Sequence, residues 1–304
     1  MNPMKVSVVM CTYNGSLFVR EQLQSILQQT YPIKEIVIYD DASTDDTVKI
    51  INEIAESNAL IKVFINEKNI GFTKNFEKAL RAAEGDAIAI SDQDDIWVES
   101  KIEKLVAAWK NECPVIYCAS TVFSKAIPYK PMPHRHFKRF EGTDARKIFL
   151  YNSVSGHAML LKKSFLPLVF PFEENVMYDW WIAVVAAYNG GVQYYPEVLV
   201  LQRKHENNIT IDTLTKTPLN KYDFKKTLIR HLEKFASAPG IKPSHKNFLK
   251  KYFILLQKSI GIKFYWPLYK FIFKNRIVLF NYKKRKKGLA SYIKNSYLIT
   301  RKNT

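Results

Sequence analysis

Cysteine is scarce in this 304-residue chain, and the three present, Cys11, Cys113 and Cys118, form neither a paired framework nor a metal-ligand spacing. No signal peptide precedes Met4-Lys5-Val6, so a reducing cytosol without disulfides is the expected setting. Neither G-x-G-x-x-G nor G-x-x-x-x-G-K followed by Ser or Thr occurs, so neither dinucleotide nor P-loop chemistry is indicated. Any phosphate must then be held by a metal or by cationic side chains. An unbroken apolar run of membrane-spanning length is also missing, because the stretch from Phe264 to Phe280 is interrupted by Lys270, Lys274 and Arg276. Acids, finally, are almost absent from the C-terminal part. Residues 216–304 hold 23 Lys and Arg against 2 Asp and Glu, whereas residues 1–215 hold 23 against 26. The net charge of +18 therefore belongs to the tail, and an asymmetry of this size points to an anionic surface as partner rather than to nucleic acid.

With 47% hydrophobic residues, the chain has ample core for one large domain or two smaller ones, and it is not a disordered protein. Lys5 to Cys11 reads as a strand buried on both faces, ending at the turn Thr12-Tyr13-Asn14-Gly15. Ser16 is placed to cap a helix running to about Gln29. Glu35 to Tyr39 is a second strand, Asp40-Asp41-Ala42 a loop, and Ser43 with Asp46 resembles a capping box for a helix to about Glu56. Ile61 to Ile65 and residues 86–90 supply two more strands, with a helix from Phe72 to Ala83 between them. This alternation predicts an α/β fold with a mostly parallel sheet, whose ligands bind outside the carboxyl ends of the strands. Thr12-Tyr13-Asn14, Asp40-Asp41 and Asp92-Gln93-Asp94 all fall at that edge.

Asp92, Asp94 and Asp95 put three carboxylates within four residues at the end of an apolar strand. Either a hard divalent cation, Mg²⁺ or Mn²⁺, is shared among them, or they form an acidic surface turn capping a helix that begins near Val98. Lys74, soon after Asn69-Ile70-Gly71, is a phosphate contact or part of a solvated helix face.

The segments Ser7 to Gly15, Asp40 to Thr47, Asn69-Ile70-Gly71 and Ser91 to Trp97, in that order, resemble inverting glycosyltransferases of family 2 with the GT-A fold, over roughly residues 4–210. The Asp-Gln-Asp-Asp-Ile-Trp form, with Asp179-Trp180-Trp181 later, is most similar to rhamnosyltransferase-like enzymes of bacterial surface-polysaccharide assembly. The resemblance implies that Cys11, Thr12, Tyr13 and Asn14 line a base pocket. In it Tyr13 stacks on a pyrimidine and Asp41 accepts from the imide N–H. It further implies a ribose-side role for Asp92 and metal ligation by Asp94. Lys74 stands where the family often carries an arginine, and a lysine there is a point charge without a bidentate fork.

Three further positions are carried over the same way. Asp179, at the start of an apolar helix, matches the family's general base; without the family it reads as an N-terminal acid favoured by the helix dipole. Tyr178 stands where a histidine often precedes that acid. Arg203 and His205, in Gln202 to Asn208, resemble a family stretch that closes over the diphosphate, with His205 as a further metal ligand, and otherwise form a basic loop. His157 is either a phosphate contact or a structural loop histidine, and Pro128 to Phe140 reads as a loop over the site.

The expected organisation is a GT-A catalytic domain at 1–215, with a nucleotide-sugar half to about 115 and an acceptor half from 116, followed by a basic, mainly helical, aromatic-rich extension at 216–304. That extension, including Lys283 to Lys287, suits peripheral attachment to the inner face of the cell membrane, packing on the catalytic domain, or RNA binding. The expected activity is metal-dependent transfer from a UDP- or dTDP-sugar, dTDP-rhamnose included, to a glycan or lipid-linked glycan. A catalytically silent nucleotide-sugar-binding module tethered at the membrane is the alternative.

Overall fold

The computed structural model describes residues 3–124, 138–206, 221–283 and 288–301. The loop expected over the site lies outside the described residues up to residue 137, as do Asn207, Asn208 and residues 284–287 of the basic run. Two compact units divide the chain, one of Met1–His134, Val154–Glu174 and Val192–Lys204, the other of Arg135–Ser153, Asn175–Gly191 and His205–Thr304.

The first unit is built on an eight-stranded sheet of order β3-β2-β1-β4-β7-β6-β8-β5. Its parallel half comprises β1 (Val6–Thr12), β2 (Ile33–Asp40), β3 (Ile61–Ile65) and β4 (Ala87–Ser91), joined through α1 (Val19–Leu27), α2 (Thr47–Glu56) and α3 (Phe72–Ala82). Val8, Val9, Met10, Ile36, Val37, Ile38, Ile88 and Ile90 are fully buried, as expected of strands covered on both faces. The other half contains β5 (Ile96–Trp97), β6 (Val115–Phe123), β7 (Met159–Lys162) and β8 (Val192–Arg203). Here β7 is antiparallel to both β4 and β6, β8 runs parallel to β6, and β5 closes the edge against β8.

Several local expectations are corrected. Ser16 does not cap α1: the Gly15 carbonyl accepts from Phe18 and Val19 N–H, and the helix begins at Val19. Ser43 does not open α2, because Asp40 binds both its N–H and its hydroxyl, so the helix waits until Thr47. The helix expected near Val98 is α4 (Lys101–Ala108), delayed because Ile96 and Trp97 pair with β8. The strand β8 is continuous through Pro196. Its register against β6 slips where Pro196, lacking an N–H, cannot extend the ladder.

In the second unit, α5 (Tyr178–Tyr188) is buried nearly all round and begins with Asp179 in its first turn, as expected. Trp180 Nε1 donates to the Ile148 carbonyl at 2.6 Å, fixing the helix against the turn Ala145–Ile148. The basic tail folds into helices including Lys221–Phe235, Pro243–Lys258, Trp266–Lys274 and Leu289–Thr300. Aromatic packing holds it together: Phe248 lies 5.0 Å from Phe271, and Tyr252 stacks on Phe271 at 5.3 Å.

The Tyr252 hydroxyl is buried and has no hydrogen-bond partner among the described residues. A desolvated, unpaired hydroxyl costs about 1–3 kcal/mol. Tyr252→Phe keeps the ring contacts and removes that cost, so chemical denaturation should show unchanged or higher stability, with a gain of about 1 kcal/mol. A clear loss would mean that the hydroxyl is satisfied in solution.

Candidate functional site

Three strands of the parallel half end on one rim: Thr12 pairs with Asp40, and Ser91 pairs with Met10 two residues back. The loops beyond them are tied together. Asp40 accepts from the Thr12 hydroxyl at 2.7 Å and from Ser43 N–H and Oγ at 2.7 and 2.6 Å. Asn14 N–H donates to Ser43 Oγ, its Oδ1 accepts from Thr44 N–H, and Gly15 N–H donates to Thr47 Oγ1, all within 2.8–2.9 Å. Asn14 and Ala42 hold left-handed backbone, with φ of 47° and 61°, which only such over-determined surroundings sustain.

The acidic turn after β4 docks on the same loop. Gln93 spans the Tyr13 backbone, accepting its N–H at 2.9 Å and donating to its carbonyl at 3.1 Å. The Tyr13 ring is left 47% exposed at the rim. Asp41 is buried, and its carboxylate accepts from Asn66 Nδ2, Ile70 N–H and Gly71 N–H, each at 2.9 Å. A carboxylate offers about four acceptor positions, so one on Oδ2 remains. Cys11 lies close to both acids; burial, then the charges of Asp92 and Asp41, push its thiol well above the usual range and keep it protonated. Lys74 pairs with Glu174, both half or more exposed. Arg203 pairs with Glu21 and lies over the Phe18 and Phe123 rings at 5.2 and 4.7 Å.

Behind the rim is a buried charge cluster. Asp92, Asp95 and His157 each offer one ligand atom, all within 4.8 Å of one another. His157 Nδ1 is 3.5 Å from Asp92 Oδ2 and 3.7 Å from Asp95 Oδ2, too far for good hydrogen bonds. Asp95 Oδ2 and His157 Nε2 are buried with no hydrogen-bond partner among the described residues. Burial, reinforced by Asp92 and Asp94 and opposed by His157 and Lys101, pushes the Asp95 carboxyl up to about 7. Burial lowers the His157 imidazole, but Asp95 and Asp92 outweigh it and raise it. Lys101, fully buried, donates to the His157 carbonyl at 2.9 Å with its ammonium 3.3 Å from the Trp97 ring centroid, and burial lowers it to about 7.

An orphaned carboxylate oxygen, Asp95 Oδ2, gathered with Asp92 Oδ2 and the His157 ring fits a divalent cation. Ligands at about 2.2 Å from a shared ion stand at most about 4.4 Å apart, so the group needs only a slight contraction.

Asp94, half-buried, belongs to the same turn but not to this gathered triad. Asp179 and His205 belong to the second unit. There Asp179 lies in the first turn of α5, whose entry is fixed by Met177 N–H donating to His231 Nε2 at 3.0 Å. His231 Nδ1 is 2.8 Å from the Thr227 carbonyl, so the imidazole is neutral with its proton on Nδ1.

Three residues carry more here than sequence reasoning assigned. His157 joins the acids only because β7 lies against β4, a pairing no motif announces. Lys101 carries one visible signal, its position four residues before the buried Leu105 on an inward helix face. His231 carries none.

The family model described as Glycosyl transferase family 2 matches residues 7–168, more than half of the chain. An uncharacterized glycosyltransferase of Haemophilus influenzae is 29% identical over 226 residues, covering 66% of this chain and 66%, just under two thirds, of its own length. The dTDP-rhamnosyl transferase RfbG of Shigella flexneri is 28% identical over 214 residues, 66% of this chain and 72% of its own. Among solved structures, S. aureus TarS 1-349 in complex with UDP-GlcNAc superposes with a TM-score of 0.62 at 22% identity, covering 97% of this chain and 89% of that one. The fold is that of the GT-A glycosyltransferases.

A methyl group at Gly15 would fall onto the Gln93 amide. That side chain is free to swing away, but only by giving up both bonds to Tyr13. Gly15→Ala should therefore fold and lose about 1 kcal/mol of stability in chemical denaturation. Unchanged stability would separate Gln93 from the organisation of the Tyr13 loop.

Burial holds the His231 imidazole below its ordinary value, although its bond to Thr227 opposes this. With the folded pKa below the unfolded one, its contribution is complete above about 6.5 and is lost as pH falls through the folded value. His245 is shifted in the same direction, again chiefly by burial. The stability contributed by His231 should thus fall between pH 7 and pH 5, so the melting temperature of His231→Gln, which keeps an acceptor for Met177, should gain on that of the wild type across this range. A variant profile parallel to the wild type would remove His231 from the account.

Proposed function

Because the chain belongs to glycosyl transferase family 2, we propose that it is an inverting transferase moving a sugar from a nucleoside diphosphate to a hydroxyl of a glycan or lipid-linked glycan in cell-surface polysaccharide assembly. The observation that supports this best is the Gln93 clamp, which locks the acidic turn to the Tyr13 loop and so joins a place for charge neutralisation to a stacking surface.

In this reading Tyr13 stacks on the pyrimidine, with Cys11, Thr12 and Asn14 around it, and the remaining Asp41 lone pair accepts the imide N–H. Uracil and thymine share that edge, so UDP- and dTDP-sugars both fit. The name of the Shigella relative favours the second, with rhamnose as the sugar. Asp92 stands on the ribose side. Lys74 exchanges Glu174, and Arg203 exchanges Glu21, for phosphate oxygens; an exposed pair such as Lys74–Glu174 is weak enough to give way.

Asp92, Asp95 and His157 would hold a divalent cation, with Asp94 and His205 as further ligands; their imidazoles favour Mn²⁺ over Mg²⁺. Such an ion would neutralise charge developing on the leaving diphosphate. Asp179 takes the proton of the acceptor hydroxyl as its oxygen attacks the anomeric carbon on the face opposite the leaving group. The glycosidic C–O bond to the diphosphate breaks in the same step, so configuration inverts without a covalent intermediate. The working place proposed is the inner face of the cell membrane, reached through the basic tail. No described helix is long and apolar enough to cross it.

Calorimetric titration with UDP and dTDP, with and without Mn²⁺, tests the donor site, and product formation tests the base. Asp94→Ala should abolish metal-dependent nucleotide binding. Asp179→Asn should keep that binding while lowering turnover by roughly 10²–10⁴-fold. Absence of binding to either nucleotide under all metal conditions would overturn the transferase reading. Full turnover by Asp179→Asn would overturn the assignment of the base alone.

A further inference from the structure

The end of the chain is built inside out. The helix Leu289–Thr300 buries Ser296 and Thr300 while Ile293 and Tyr297 are 43% and 45% exposed. The helix Trp266–Lys274 has an inner apolar face of Leu268, Phe271 and Ile272, and a second, outer one. On that outer face Trp266, Tyr269 and Phe273 stack at 5.0 and 5.9 Å with nearly parallel rings, Trp266 being 52% exposed. Phe264 joins the two helices through a bridge to Arg301. Between them lies an open groove of about 460 Å³ lined by Phe264, Trp266, Tyr269, Ile293, Lys294 and Tyr297.

The charge around this groove has one sign. From Lys234 to Thr304 the chain contains 18 Lys and Arg and no Asp or Glu. Lys270, its ammonium 5.5 Å from the Trp266 ring centroid, and Lys294 stand at the groove itself. Among the described residues neither Lys270 nor Lys294 has an ion pair, so an anionic partner from outside the chain suits them.

We infer that this groove docks the protein on an anionic lipid surface, with the aromatic and aliphatic side chains entering the interface and Lys270 and Lys294 meeting phosphate head groups. Apolar residues facing outward beside cations are what an interfacial helix pair requires. A neutral glycan could stack on the same rings but would leave Lys270, Lys294 and the cations around them without counter-charge. The inference deepens the membrane attachment proposed above by naming the face that makes it, and it is independent of the transfer chemistry.

Flotation with phosphatidylcholine vesicles, with and without phosphatidylglycerol, tests it on the full chain. Wild type should float with the anionic vesicles at low salt and be released at high salt. The surface variant Trp266→Ser/Ile293→Ser/Tyr297→Ser and the charge variant Lys270→Glu/Lys294→Glu should each bind at least about tenfold more weakly, while both keep the wild-type melting profile and nucleotide binding. If wild type floats and both variants float equally well, the groove is not the docking face, although attachment stands. If wild type does not float, groove and attachment both fail. Binding of polyuridylate RNA that the surface variant loses, without flotation, would give the face to nucleic acid and overturn the inference.

Discussion

Four ionisable side chains gather at the end of β4, with Asp95, His157 and Lys101 buried and Asp92 partly exposed beside them. Removing such groups from water costs several kcal/mol per ion unless opposite charge and hydrogen bonds replace the solvent. Lys101 meets this condition through the His157 carbonyl and the Trp97 ring, and that arrangement dictates much else. It requires α4 to begin where Lys101 points inward, which Ile96 and Trp97 permit by pairing with β8. It also requires the turn Gly156–Ala158 to lie beside the acids, which the antiparallel β7 achieves by lying against β4. The order of the sheet and the composition of the cluster are thus one constraint. The Asp95 oxygen that no hydrogen bond satisfies marks a place for further positive charge, and a divalent cation is the simplest group that supplies it.

The rim in front of the cluster depends on a different physics. Its hydrogen bonds are mostly between backbone N–H groups and short side chains, Asp40, Ser43, Asn14 and Thr47, that reach only their near neighbours. Local rules therefore made the rim readable: turn residues after apolar strands, in a doubly wound pattern, converge at one edge whatever the later pairing. The same rules misplaced the caps. Ser16 and Ser43 have the right chemistry for a helix start. Asp40, however, is a partner fixed by the β1–β2 register, and it captured Ser43 before α2 could use it.

Beyond Ser91 the reading weakened for a definable reason. His157 is separated from Asp95 by more than sixty residues, and the antiparallel placement of β7 is not implied by any βα alternation. His231, which anchors the entry to α5, sits in an ordinary basic helix with nothing in its neighbourhood to mark it. Lys101 was hidden by the reasonable habit of assigning lysines to solvent. The tail showed its composition but not its facing. Counting aromatics and cations revealed an amphipathic region, and only the structure revealed that one helix turns its serine and threonine inward and its isoleucine and tyrosine outward.

That facing bears on how the tail is stable at all. A helical region with almost no acids repels itself, and its aromatic stacking must hold against that repulsion. Screening by salt relieves the repulsion, and so does any anionic surface that binds the folded form in preference to the unfolded chain. By mass action the second route also raises stability, by an amount that grows with the concentration of the surface. Docking and folding of this region are therefore linked: charges that lower its stability in free solution become a source of stability on an anionic surface.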